Sequence, residues 1–231
     1  MLNFKMMQNE KEKAEPVLPF KSPQVKICGL TQPQEAASCA AGGADAIGYI
    51  FYPPSPRSIA AVRAAQITRV LPASVCPVGV FVDESYDTVM HTAQTAGLRA
   101  VQLHGREAPA LVDRLRANGL TVIKTLFYNG SPDFKAIDRY AADAYLVECV
   151  GGPLPGGNAL LWNWSETRRL PATAPIILAG GLTPDNIAVA IQDARPDAVD
   201  VHGAAGDEVE ELGPPLRGAE LVPAANGDLS L

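Results

Sequence analysis

Several residues able to do chemistry each stand at or just after the end of a short apolar run: Cys28, Arg57, Asp83, His104, Glu148, the pair Gly180-Gly181, and His202. A thiol, a carboxylic acid, a guanidinium and an imidazole brought to one cavity suit proton transfer on an anionic substrate. They suit metal binding less well, because no H-x-x-x-H or similar local spacing accompanies the two histidines. Gly180-Gly181, followed by Leu182-Thr183-Pro184-Asp185-Asn186, reads as a phosphate site. Glycines let backbone approach a phosphate, and a helix starting near Pro184 would turn unpaired N–H groups toward it. Each residue also has a plainer reading. Cys28 could be a core thiol, Arg57 a solvated loop cation, His104 a side chain bonded to backbone, and Gly180-Gly181 a bare turn. Asp83 reads best as the N-cap of the helix that follows it, and His91 as a surface or packing residue.

The elements that must position these groups are short Val- and Ile-rich runs alternating with helical segments. Strands are expected over 25–28, 46–51, 77–82, 100–103, 122–126, 144–149, 175–179 and 198–201. Helices are expected over 33–41, 60–71, 85–96, 107–118, 132–141, 165–170 and 184–193. Eight strands separated by helices in a chain of this length predict an α/β fold of the closed (β/α)8 (TIM) barrel type, with chemistry at the C-terminal ends of the strands. An open doubly wound sheet needs fewer strands and usually a glycine-rich first turn, whereas Cys28-Gly29-Leu30-Thr31 has a single glycine. Beyond Val201 no amphipathic segment is visible, so the eighth helix is expected to be poorly formed or absent. The expected organisation is a loose tail over 1–22, the barrel over 23–203, and an atypical Pro- and Gly-rich segment over 204–231.

Composition narrows the function. Hydrophobic residues at 47% and charged residues at 19% fit a globular chain with a sizeable core. A formal net charge of -6 argues against a general nucleic-acid binder. No apolar run is long enough to span a membrane. Cys28, Cys39, Cys76 and Cys149 form no C-x-x-C pair and read as buried free thiols in a reducing compartment, hence a cytoplasmic chain.

Six blocks carry a family resemblance: Lys26-Ile27-Cys28-Gly29-Leu30-Thr31, Gly43-Ala44-Asp45-Ala46-Ile47-Gly48, Phe51-Tyr52-Pro53-Pro54-Ser55-Pro56-Arg57, Val78-Gly79-Val80-Phe81-Val82-Asp83, Val101-Gln102-Leu103-His104-Gly105 and Leu178-Ala179-Gly180-Gly181-Leu182-Thr183-Pro184. In this order, over about 25–201, they resemble the phosphoribosylanthranilate isomerases. The resemblance implies an aldose–ketose isomerase of tryptophan biosynthesis. Its reaction is the Amadori rearrangement of N-(5-phosphoribosyl)anthranilate to 1-(2-carboxyphenylamino)-1-deoxyribulose 5-phosphate, without metal or organic cofactor, in a monomer or homodimer. By position Cys28 matches the family's general base, and Glu148 falls where its general-acid aspartate stands. Arg57 and His104 match the anthranilate side of the pocket, and Gly180 and Gly181 match half of the phosphate cup.

The chain also departs from that pattern. Glu148 is one methylene longer than aspartate. The loop 156–164 keeps Gly156-Gly157 and Trp164 but loses a third glycine and the acid before that tryptophan. After Val201 the family's small hydroxyl residues give way to His202-Gly203-Ala204, with Asp207, Glu208, Glu210 and Glu211 close behind. A reading-frame shift in the source gene would produce such a break, and sequencing an intact frame through this region would dismiss it. Two functions therefore stand: the isomerase, or a catalytically impaired or inactive barrel that binds a phosphorylated ligand or a protein partner. A different sugar-phosphate isomerase or an aldolase-type barrel fits less well, since no lysine stands at an obvious strand end and Lys124 lies inside strand five.

Overall fold

The computed structural model describes residues 23–150, 161–171 and 174–202. The tail over 1–22, most of the loop 156–164, the segment 204–231 and any eighth helix lie outside those residues.

Eight parallel strands close on themselves in sequence order: β1 (Gln24–Cys28), β2 (Ala46–Ile50), β3 (Cys76–Phe81), β4 (Ala100–Leu103), β5 (Thr121–Tyr128), β6 (Ala144–Cys149), β7 (Ile176–Leu178) and β8 (Ala198–His202). Closure is made by β1 pairing with β8 from Gln24↔Ala198 to Cys28↔His202. The α-helices α1 (Pro33–Ala41), α2 (Ala61–Thr68), α3 (Tyr86–Ala96), α4 (Pro109–Ala117) and α5 (Ile187–Ala194) cross between strands. The barrel expectation is met, with every expected strand present to within two residues of its bounds.

Three helical expectations are corrected. Segments 132–141 and 165–170 form 3-10 turns, at Phe134–Arg139 and Trp164–Arg169. At the first of these the buried Tyr145 hydroxyl reaches the carbonyls of Ile137 and Tyr140, satisfying the end of a turn that goes no further. Helix α5 begins at Ile187 rather than Pro184, because Asn186 folds back on the loop before it. Its Oδ1 accepts from the Thr183 N–H at 2.9 Å and its Nδ2 donates to the Gly181 carbonyl at 2.8 Å. Helix α3 is capped by Ser85, whose Oγ accepts from the Thr88 N–H at 3.1 Å, and not by Asp83. Asp83, in a left-handed turn at φ 54°, instead accepts from the Arg106 N–H at 2.6 Å and ties the loop after β3 to the loop after β4. His91 is exposed on α3, as expected.

Strand parity separates two apolar regions. Outward residues such as Ile47, Tyr49, Val101, Val122 and Val147 pack under the helices. Inward residues stack in layers of four drawn from alternate strands. At the bottom lie Ala46, Ala100, Ala144 and Ala198. At this end three aspartates recur in one structural role. Asp45, Asp143 and Asp197 each stand just before an even-numbered strand and accept from the first N–H groups of the preceding strand, at Val25 (2.9 Å), Val122 (2.8 Å) and Ile176 (2.8 Å). This end holds the barrel together; the opposite end carries the chemistry.

Candidate active site

At the C-terminal mouth the last two inward layers are Cys28, Val80, Thr125 and Ala179, then Ile50, His104, Glu148 and His202. Cys28, His104 and Glu148 are all buried.

Two residues below Cys28 on the same face, the Lys26 ammonium is buried and bonds the Asp200 carboxylate of β8 at 2.8 Å. Gly48 makes room for both. A Cβ at that position would lie 2.7 Å from the Cys28 Sγ and 3.2 Å from the Lys26 Nζ. Burial pushes the Cys28 thiol above its ordinary range. Lys26 opposes this as the nearest cation, the Asp200 carboxylate adds to it, and Arg57 opposes it more weakly. Burial alone would lower Lys26, but Asp200 and the neighbouring sulfur outweigh it and hold the ammonium charged above its usual value. Arg57, half-buried in the loop after β2, lies over Gly29, where an added Cβ would meet its Cδ at 3.0 Å. The guanidinium therefore hangs over the same edge as the thiol.

On the far wall, Oε1 of Glu148 approaches Nε2 of His104 at 2.8 Å. The separation is that of an ion pair, but the angles are not those of a hydrogen bond, and both atoms keep their hydrogen-bonding capacity open. The other ring nitrogen, Nδ1, lies 2.8 Å from Gln102 Nε2 and 3.0 Å from Thr125 Oγ1. Phe127 meets the imidazole edge-on at 5.6 Å. His104 is thus held by side chains rather than by the backbone contact its sequence position allowed.

The loop bearing His104 is anchored from below. Lys124, fully buried, donates to the carbonyls of Leu103 and Gly105 and to Glu107 Oε2 at 3.0, 2.8 and 2.9 Å. Glu107 in turn accepts from the backbone N–H groups of Asp83 and Gly105. Lys124 is consumed by this scaffold, which agrees with setting aside an aldolase.

Gly180 and Gly181 adopt left-handed conformations at φ +86° and +69°. At Gly180 an added Cβ would stand 3.2 Å from Trp162 Nε1 and 3.4 Å from Glu148 Cβ, so the turn runs beside the acid. Trp162 donates to the Ala179 carbonyl at 3.0 Å and stacks on Tyr128. The Thr183 N–H is already taken by Asn186 and is not free for a ligand.

His202 ends β8 at the same mouth. Desolvation lowers the basicity of its ring; Asp200 and Glu148 oppose that, while Arg57 and Lys26 reinforce it. The thiol at position 28 and the acid at position 148 share one mouth.

Every site residue expected from sequence thus reaches this end of the barrel. Lys26, Asp200, Gln102, Thr125, Phe127 and Trp162 were missed. For three of them a signal existed: Lys26, Gln102 and Asp200 each precede a mouth residue by two positions on a strand, the spacing that puts side chains on one face. Among the described residues no group of three or more His, Cys, Asp or Glu side chains is arranged to hold a metal ion, and no helix is long and apolar enough to cross a membrane.

Fold and site together define a (β/α)8 barrel whose mouth pairs a thiol with a carboxylic acid beside a glycine turn. A model of the family described as N-(5'-phosphoribosyl)anthranilate (PRA) isomerase matches residues 25–213, running past the expected barrel boundary at 203. A protein of Desulfatibacillum aliphaticivorans named N-(5'-phosphoribosyl)anthranilate isomerase is 52% identical over 178 residues, covering 77% of this chain and 82% of its own. Among solved structures, phosphoribosyl anthranilate isomerase from Thermus thermophilus superposes with a TM-score of 0.71 at 31% identity, covering 85% of this chain and 93% of that one. A second, in complex with reduced 1-(o-carboxyphenylamino)-1-deoxyribulose 5-phosphate, gives 0.67 at 34% identity, with 84% and 92% covered. This chain belongs to the N-(5'-phosphoribosyl)anthranilate isomerase family.

Proposed function

We propose that Cys28 and Glu148 are the base and acid of an Amadori rearrangement that converts N-(5'-phosphoribosyl)anthranilate to its 1-deoxyribulose 5-phosphate isomer. The observation carrying this reading is the placement of a thiol on β1 and a carboxyl on β6 at one barrel mouth. Glu148 gives a proton to the furanose ring oxygen as the C1–O bond breaks, and the nitrogen lone pair closes a C=N iminium. That cation acidifies the C2 proton, which the Cys28 thiolate removes, the C–H pair becoming the C1=C2 bond of an enolamine. Loss of the C2 hydroxyl proton and protonation at C1 complete the ketose.

Arg57 takes the anthranilate carboxylate, for which a guanidinium offers two parallel hydrogen bonds, and His104 stands on the same side of the pocket. Gly180 and Gly181 present backbone to the phosphate. Lys26 beneath Cys28 favours the thiolate, and Leu146, two residues below Glu148, offers the acid neither charge nor hydrogen bond. The test is complementation of an isomerase-deficient tryptophan auxotroph, beside a purified assay that separates substrate from product by chromatography. Growth and turnover that Cys28→Ala abolishes are expected. A soluble wild-type protein that neither complements nor turns over would instead favour a barrel that only binds a phosphorylated ligand.

A further inference from the structure

Three buried polar atoms without hydrogen-bond partners lie along one chain of contacts: Gln102 Oε1, His104 Nε2 and Glu148 Oε1. Gln102 and His104 are joined through Nε2 and Nδ1 at 2.8 Å, and His104 and Glu148 approach through Nε2 and Oε1 at 2.8 Å. We propose that Gln102 is a positioning residue that fixes the tautomer of His104, and that the fixed imidazole orients Glu148 so that its other oxygen carries the catalytic proton. The proposal rests on the role of Glu148 as the acid.

The donors available around the ring set its tautomer. An amide nitrogen can only donate, so the Gln102 Nε2 facing Nδ1 requires a lone pair there. The Thr125 hydroxyl donates or accepts as its neighbours require, and so leaves the decision to Gln102. A neutral ring whose Nδ1 accepts must carry its proton on Nε2, the nitrogen facing Glu148. A small rotation aligns that N–H with Oε1. While Glu148 is protonated, Oε1 is the carbonyl oxygen and accepts this bond, which leaves Oε2–H as the only proton to give. After transfer the same bond reaches a carboxylate and becomes charge-assisted. It therefore strengthens as the reaction proceeds, which is the condition for an interaction to raise kcat rather than merely lower KM. The extra methylene of Glu148 is what brings the carboxyl to the imidazole.

Nitrogen-15 NMR of the histidine-labelled whole chain reads the tautomer directly. The chain has three histidines, and loss of signals in His104→Asn assigns the ring. The expected wild-type result is a pyridine-like Nδ1 and a pyrrole-like Nε2. In Gln102→Glu, where a carboxylate faces Nδ1, that nitrogen becomes pyrrole-like, and kcat falls by about tenfold or more with little change in KM. A wild-type ring protonated at Nδ1, or a Gln102→Glu ring with the wild-type pattern, overturns the proposal, and the wild-type measurement decides it even if the variant fails to fold. Failure of the acid assignment is distinct: it shows as full activity in Glu148→Gln, while the tautomer measurement stands apart from turnover.

Discussion

Replacing Glu148 by glutamine retains the side chain's length and its place 2.8 Å from His104 while removing the transferable proton. A positioned general acid contributes about 10²–10⁴ in rate, so kcat should fall by that factor. In activation energy this is about 3–5 kcal/mol. KM should barely move, because no substrate-binding group is lost. Glu148→Asp separates reach from chemistry. Shortening by one C–C bond withdraws the carboxyl by about 1.5 Å and opens the contact with the His104 ring to about 4 Å, beyond hydrogen bonding. The proton remains but is misplaced, which lowers kcat by up to about a hundredfold. Steady-state kinetics with chromatographic separation of the isomers measures both variants, and single-turnover experiments isolate the chemical step. Urea midpoints confirm that the barrel is intact. The reasoning fails if Glu148→Gln stays within about tenfold of wild type, a loss too small for a general acid. It fails equally if the aspartate variant is faster than wild type, since the mouth would then not be built around the longer side chain.

Burial lifts the Cys28 thiol, so the thiolate fraction, and with it kcat/KM, should rise with pH through and beyond the ordinary thiol range near about 8.5. Lys26→Met deletes the nearest cation and leaves Asp200 beside the sulfur; both changes disfavour the thiolate, so the rising limb should move to higher pH, and a shift to lower pH would refute the assignment. Lys124→Met strands Glu107 as a buried, uncompensated charge, and should lower stability by about 3–5 kcal/mol in urea unfolding. An unchanged midpoint would show that the Lys124–Glu107 pair does not anchor the loop. Gly180→Ala puts a Cβ on a backbone at φ +86°, a conformation that costs an L-residue about 1–2 kcal/mol. The same Cβ would press on Trp162 Nε1 at 3.2 Å and on Glu148 Cβ. Substrate KM should rise, and an unaltered KM would detach this turn from phosphate binding.

The barrel was legible because strand runs of inward and outward apolar residues are buried on both faces, and so read as continuous Val-, Ile- and Ala-rich segments in any register. The errors fell where one hydrogen bond outweighs propensity. Nothing in Thr183-Pro184 shows that Asn186 will fold back onto Gly181 and Thr183 and delay α5 to Ile187. Asp83 and Ser85 are both good caps. The nearer Ser85 takes the Thr88 N–H, which frees Asp83 to bind Arg106, a partner 23 residues away. Lys124 reads as an oddity inside an apolar strand until the fold brings Glu107 and two carbonyls to it.

The site divides along the same line. Residues at the mouth announce themselves, because a polar side chain ending an apolar strand has few structural reasons to be there. Their supporting residues lie two positions down the same strands, where polar groups survive only if their surroundings satisfy them. Lys26 needs Asp200 from β8, and Gln102 needs His104 above it on the same strand. Period-two spacing alone yields the pairs Lys26/Cys28, Gln102/His104, Leu146/Glu148 and Asp200/His202, each a mouth residue above a residue that conditions it. What spacing cannot supply is the closure between β1 and β8, which places an ammonium and a carboxylate beneath one thiol. Cys28 and Glu148 thus stand above different neighbours, an ion pair beneath the thiol and an apolar leucine beneath the carboxyl.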